Sequence, residues 1–384
     1  MREFRRRRPG GRVGSRAGRF GWRGRVPASA ATLAVVVALA PTLAACGSSK
    51  QGGSGSSGSK GASSTASSGG SSSGSSGGGS FSVGLVTDIG GLNDHGFNHL
   101  SYMGVQQAAS QLGVKYKVLQ SSSGADYIPN LTKLAQGGYK LVIAVGFLMA
   151  GDLQKVATQF PKTHFAIVDN PGGTPPDTAK NIEGIDFAEQ QAGYPAGYLA
   201  GLYLKAHHYT TASTVGGQSI PPVDLYIAGF QAGVKAADPS AKLMNAYSQN
   251  FTDESACKEL ALNQINAGSK VVFQVAGACG LGVISAGVQT HTQVIGVDAD
   301  QSYLSPQYVL TSAMKKVNTG VFTAIKNLKA GKFSANLQEN INNGGVGIGK
   351  IDAAGAPFKA KVEHVIAEMK AGKIKPPTKI LVTK

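Results

Sequence analysis

The chain has 384 residues, with 37 Lys and Arg against 21 Asp and Glu, a formal net charge of +16, and 42% hydrophobic content. A charge of that size raises nucleic acid or an acidic membrane as partners. The apolar share excludes a wholly disordered chain, and no apolar run of 18 residues beyond the N-terminal region excludes a multi-span membrane protein.

In chain order, the charge distribution comes first. All ten Arg lie between Arg2 and Arg25, with Glu3 the one acid among residues 1–46. Arg5 to Arg8 are consecutive, residues 28–40 are small and apolar, and Leu43-Ala44-Ala45-Cys46 follows. A basic n-region, an apolar h-region and small residues before a cut site form a secretory signal over 1–45. The stretch ending at Cys46 resembles the lipobox of bacterial lipoproteins, which implies that this thiol takes a diacylglycerol and becomes the new N-terminus. An uncleaved anchor would make Cys46 incidental; either way the remainder is exported and tethered. The Arg-rich n-region leaves general secretion and twin-arginine export both open. Residues 47–80 contain 12 Gly and 16 Ser in 34 positions, so 46–80 is read as a lipidated Cys and a flexible linker. Its root-mean-square reach is about 30 Å.

From Phe81 the pattern alternates. Phe81–Thr87 is a short apolar run, and His95–Leu112 has helical spacing. Tyr116–Gln120 reads as strand, Tyr127–Gln136 as helix, Lys140–Val145 as strand, Ala150–Phe160 as helix and His164–Val168 as strand. After Asn181–Ile185 a long helix covers Gln190–Ala206. A second series opens at Thr211–Val215, then helix 223–237, strand 242–247, helix 254–267, strand 270–275, helix 280–290 and strand 292–297. Apolar strands with a crossover helix between each pair predict parallel sheets covered on both faces. Some 300 residues of this exceed one core, so the fold class is α/β with two lobes. The first is placed at 81–207 plus about 316–335, the second at 208–315 plus about 336–384, with hinge crossovers between them.

Ligands of such sheets sit beyond the carboxyl ends of the strands. Those ends carry Asp88, Asn93, Asp94, Phe97 and Asn98; Asp169 and Asn170; Asn250, Phe251 and Asp253; Asp298, Asp300 and Gln301; and Lys315 with Lys316. Residues 81–384 hold 25 Lys, 20 acids and no Arg. A nucleic-acid reader without Arg lacks the planar fork that reads guanine and grips phosphate. A neutral ligand with hydroxyls fits a cleft lined by Asp and Asn.

The run Gly84-Leu85-Val86-Thr87-Asp88, then Leu92-Asn93-Asp94-His95-Gly96-Phe97-Asn98, Phe165 to Asp169, Phe187 to Tyr194, Gly229 to Lys235, Val294 to Gln301 and Leu310-Thr311-Ser312 with Lys315 resembles the basic membrane protein family. These are the purine-nucleoside-receptor-like substrate-binding lipoproteins of ABC importers. Where the family usually shows Asp-Lys-Ser-Phe-Asn, this chain has Asp94-His95-Gly96-Phe97-Asn98. The resemblance implies a two-lobed type I periplasmic-binding-protein fold, a purine nucleoside or similar small uncharged solute in the cleft, and no catalysis. It implies that Asp88 meets the base edge, with Asn93 in the same loop. Phe97 and Asn98 stack on and bond the base, and Phe251 closes the stack from the second lobe. Asp169, or Asp186 in its place, and Asp298 hold ribose hydroxyls, and Lys315 bonds a ribose oxygen. The partners it implies are an ABC permease and, through the lipid anchor, the membrane; nucleic acid is not among them. The chain is expected to be a monomer.

No cofactor is expected. His95 and His99 have metal-ligand spacing, but no H-E-x-x-H motif accompanies them, and no metal is expected. After lipidation Cys257 and Cys279 remain; export favours pairing, and both fall near one sheet edge, so a disulfide is expected. Two other functions share the cleft: a ligand-sensing surface receptor, and a nucleoside-processing enzyme needing an acid–base pair at the sugar. An adhesin on the same scaffold would bind no small molecule.

Overall fold

The computed structural model describes residues 81–171 and 179–383. The signal segment, Cys46 and the linker lie outside the described residues. Strand β1 (Ser82–Val86) is followed by helix α1 (Phe97–Leu112), β2 (Lys115–Leu119), α2 (Tyr127–Gln136), β3 (Leu141–Val145), α3 (Ala150–Gln159), β4 (His164–Val168) and β5 (Ile182–Phe187). Then come α4 (Gln190–Ala206), β6 (Thr211–Gly216), α5 (Pro221–Ala237), β7 (Lys242–Tyr247), α6 (Glu254–Asn266), β8 (Val271–Val275), α7 (Gly280–Thr290), β9 (Gln293–Asp298) and β10 (Val309–Lys315). The chain ends with α8 (Val317–Lys329), β11 (Asn336–Glu339), β12 (Val346–Ile348) and α9 (Lys359–Lys370).

The strands form two sheets of six, ordered β11-β5-β4-β3-β1-β2 and β12-β10-β9-β8-β6-β7. Position by position the second repeats the first. Every pairing is parallel except β12, which runs antiparallel to β10. The central strands β3 and β8 are buried at every residue. Helices cover both faces, which is what a continuous apolar strand requires. Edge strand β2 keeps Lys115, Tyr116 and Lys117 in solvent.

Two lobe boundaries fall elsewhere than the sequence places them. Helix α4 packs on α5, β10, β12 and α9, so it belongs with the second lobe. Its face explains this. A methyl at Gly193, Gly197 or Gly201 would overlap the α5 backbone, and one at Gly229 or Gly233 of α5 would overlap α4. The two helices approach too closely for any side chain between them. Strand β11 pairs with β5, Asn336 opposite Gly184 through Glu339 opposite Phe187, so residues 336–339 extend the first sheet. Helix α1 also starts two residues later than its periodicity suggests. His95 takes φ 52° and Gly96 φ −159°, outside helical geometry.

The chain crosses between lobes after β5, after β10 and after β11. Three hydrogen bonds hold the crossovers together. Ala188 N–H donates to Glu339 O (2.9 Å), Lys316 N–H to Gly345 O (2.8 Å) and Ile341 N–H to Gln191 Oε1 (2.9 Å).

Candidate ligand-binding site

The carboxyl ends of both sheets face one cleft, lined by residues of both lobes. Its first-lobe wall begins in the loop after β1. Asp94 makes this loop rigid: its carboxylate accepts from the N–H groups of Gly96 (3.1 Å), Asn98 (2.6 Å) and His99 (3.0 Å). Those are donors that a helix start leaves unpaired. Asn98 clamps the other end, accepting from Asp88 N–H at 2.9 Å and donating to Ile89 O at 3.4 Å. The Asp88 carboxylate is thereby aimed at the cleft. Its Oδ1 accepts from Tyr127 Oη and from Ile89 N–H, while no described residue bonds Oδ2. Burial pushes the Asp88 carboxyl up to about 6, against the pull of Tyr127. Gly146 is required beside it. Its φ is +109°, and an added methyl would lie 2.7 Å from Asp88 Oδ2 and 3.3 Å from Phe97 Cε1.

At the centre stands Lys315, the last residue of β10 and only 2% exposed. Its ammonium lies 2.5 Å from Asp169 Oδ2, 3.5 Å from Glu189 Oε1 and 3.7 Å from Asp298 Oδ1. It also sits 4.8 Å from the Phe97 ring centroid and 5.5 Å from those of Phe187 and Tyr226, within cation–π range. Burial alone would depress this lysine, but the three carboxylates outweigh it and hold the ammonium above the ordinary lysine range. One ammonium cannot neutralise three acids. Burial therefore raises the Asp169 carboxyl to about 6 despite Lys315, and raises Asp298 and Glu189 too.

Asp169 and Asp298 follow β4 and end β9, the matching strands of the two sheets. Both take left-handed backbone, φ 65° and 62°. Asp298 Oδ1 accepts from Tyr226 Oη at 3.2 Å. Asp169 Oδ1 is buried with no hydrogen-bond partner among the described residues. A buried acceptor left open beside a cavity is an invitation to a donor from a bound molecule.

The second-lobe wall is built around Phe251. Its ring packs against Gly217, where an added methyl would lie 2.2 Å from Cε1 and overlap it. The backbone carbonyl of Phe251 accepts from Cys279 N–H at 3.0 Å. Cys279 is disulfide-bonded to Cys257 of α6, Cα to Cα 5.5 Å. The bridge ties α6 to the turn that brings Gly277 and Ala278 to the cleft. Closing a loop of this length stabilises by about 3 kcal/mol in the chain-entropy view. The lobes also touch across the cleft mouth. His95 Nδ1 and Tyr303 Oη share a 2.8 Å hydrogen bond, and Gln301 Nε2 reaches His95 O at 3.4 Å.

Asp88, Phe97, Asn98, Asp169, Phe251, Asp298 and Lys315 thus line one cavity. Asn93 does not: it is exposed on the outer side of the β1–α1 loop and absent from the lining. Asp186 is bonded by Gln338 at 3.1 Å and also lies outside the lining. Lys316 joins the crossovers, and Asp300 accepts from Ser302 and Lys350 N–H groups. Nothing in the local sequence marks Tyr226, Phe147 or Glu189 as site residues. Tyr226 and Phe147 line the cavity, whereas Glu189 stands behind Lys315. Tyr226 sits among helical-period apolar residues, which read as core. Among the described residues no cluster of His, Cys, Asp or Glu is arranged to hold a metal ion.

Comparison with known proteins places this geometry in a family. Residues 81–375 match the family model described as ABC transporter substrate-binding protein PnrA-like. A nucleoside-binding protein of an ABC transporter from Lactococcus lactis is 31% identical, over 77% of this chain and 88% of that one. Basic membrane protein D of Borreliella burgdorferi is 29% identical over 64% of this chain and 71% of its own length. Among solved structures, an ABC transporter solute-binding protein from Aeropyrum pernix superposes with a TM-score of 0.70 at 25% identity, covering 77% of this chain and 94% of that one. One from Conexibacter woesei gives 0.61 at 23% identity, covering 78% and 99%, a likeness of fold. The family binds substrates and is not one of enzymes. The chain belongs to the PnrA-like family of ABC transporter substrate-binding proteins.

Proposed function

We propose that this protein is the membrane-anchored, extracytoplasmic receptor of an ABC importer, and that it captures a purine nucleoside between its lobes and presents it to a permease. The observation that carries the reading is the Asp169–Lys315–Asp298 group, in which the buried Asp169 Oδ1 has no hydrogen-bond partner among the described residues. A ribose hydroxyl would donate there, and a hydrogen bond to a charged acceptor is the stronger kind. Phe97 from the first lobe and Phe251 from the second offer aromatic surface to a flat base, and Asp88 Oδ2 offers an acceptor to its N–H edge. The excess of buried carboxylate opposes phosphate, which favours nucleosides over nucleotides. The name of the Lactococcus relative supports the ligand class. The signal-like segment, Cys46 and the lipoprotein and membrane-protein names of relatives support anchoring outside the cytoplasm.

Calorimetry of the protein against guanosine, inosine, adenosine, free ribose and amino acids tests this. Nucleosides should bind, and Phe97→Ala should weaken them at least about tenfold, as expected for a lost stack of about 1–3 kcal/mol. Tight binding of an amino acid and none of a nucleoside would refute the ligand class.

A further inference from the structure

Glu189 is 1% exposed, yet it is not part of the cavity lining. It sits on the first crossover, between the end of β5 and the start of α4. Its Oε1 lies 3.5 Å from Lys315 Nζ, and Lys315 immediately precedes the second crossover. The same ammonium bonds Asp169 of the first lobe and approaches Asp298 of the second. The neighbouring backbone is tied to the third crossover, through Ala188 N–H to Glu339 O and Lys316 N–H to Gly345 O. One buried ion-pair group therefore connects the cleft with all three hinge segments.

A fully buried glutamate that served only the fold would be a poor choice of residue. Burying surplus negative charge costs free energy, and a neutral or apolar side chain of similar volume is often the more stable solution. Asp169 and Asp298 already give Lys315 two counter-charges. A third acid, placed behind the lysine and away from the cavity, adds repulsion with Asp169 and leaves the group with excess negative charge. What it contributes is direction. With Glu189 Oε1 3.5 Å away on the hinge side, the ammonium that bonds Asp169 at 2.5 Å is braced between the cleft and the first crossover.

We propose that Glu189 is a positioning residue for the ligand: it fixes the Lys315 ammonium at the cleft and links it to the first crossover, so that ligand capture and lobe bending share one ion pair. This rests on the reading of the cleft as a nucleoside site. In the full-length protein, Glu189→Gln should weaken guanosine at least about tenfold while the melting temperature of the ligand-free protein stays equal or rises. A residue with only a structural role would lose both together. Because Glu189 acts through Lys315, adding Glu189→Gln to Lys315→Met should cost no further affinity. Glu189→Asp, which keeps the carboxyl group but retracts it, should fall between wild type and Glu189→Gln. Affinity within twofold of wild type in Glu189→Gln, or additive losses in the double variant, would overturn the proposal. A second measurement needs no nucleoside. The Lys315 side-chain ¹⁵Nζ signal, identified by its loss in Lys315→Met, should shift or broaden in ligand-free Glu189→Gln. An unchanged signal would overturn the proposal, whereas a wild type that binds no nucleoside would instead overturn the ligand assignment.

Discussion

Replacing Asp169 with Asn changes one charge and almost no volume. In the native cleft Oδ2 is held by Lys315 at 2.5 Å while Oδ1 waits, buried and unpartnered among the described residues. In Asp169→Asn the amide oxygen turns to the lysine, because only it can accept. The NH₂ group is then left facing the cavity, where it meets a ligand hydroxyl as a donor instead of a charged acceptor. A hydrogen bond to a charged group contributes about 1.5–3 kcal/mol, so affinity for guanosine should fall by about ten- to a hundredfold. Stability of the ligand-free protein should not fall with it. The Asp169 carboxyl is already raised to about 6, which means folding works against its charge, and removing that charge relieves repulsion with Asp298 and Asp186. Calorimetry for affinity and scanning calorimetry for the ligand-free melting temperature measure the two effects separately. Affinity within twofold of wild type would show that Oδ1 receives no ligand donor. A loss of affinity accompanied by a melting temperature more than about 5 °C lower would show damage to the fold instead, since a shift of that size reflects roughly 1–2 kcal/mol.

Two further outcomes follow from the same geometry. A methyl at Gly217 would overlap the Phe251 ring, so Gly217→Ala should expel the ring from its seat and weaken ligand binding more than it lowers the melting temperature, because the ring lines a cavity and can move; equal affinity would remove Phe251 from the site. Acidification should act in opposite directions on stability and binding. Asp88 and Asp169 are raised from 3.8 to about 6 in the folded protein, so their contribution to stability is complete below about pH 4 and is lost as pH rises through 6. The ligand-free melting temperature should therefore rise between pH 7.5 and 5, while the increment added by guanosine shrinks as these acceptors protonate. A steady fall of the ligand-free melting temperature over that range would refute the assignment.

Much of this architecture is written locally. Strands such as Leu141–Val145 and Val271–Val275 are continuous apolar runs, and the helices between them carry their own period, so the alternation and the parallel sheets follow from neighbouring residues alone. The same holds for the cleft edge. Polar residues directly after apolar strands must emerge at the carboxyl ends, which is why Asp88, Asp169, Asp298 and Lys315 could be picked out together. Asn93 shows the limit. It shares a loop with Asp88, but the capping bonds of Asp94 turn the loop so that Asn93 points to solvent. Helix α4 shows another: Gly193, Gly197 and Gly201 are visible in the sequence, but which helix they fit is a property of α5, with its own Gly229 and Gly233.

The chain's +16 illustrates the division. The sequence by itself determined that ten of its positive charges are Arg confined to residues 2–25, that residues 81–384 have Lys alone, and that an alternation of apolar strands and helices follows a Gly- and Ser-rich stretch. Only the tertiary structure decided what the charges do. It gathers Asp169, Glu189 and Asp298 around Lys315, partners separated by as many as 146 positions, and leaves Asp169 Oδ1 without a hydrogen-bond partner among the described residues. Local propensity acts over a few residues, whereas burial and Coulomb attraction act between groups brought within ångströms by folding, and no spacing along the chain encodes those distances.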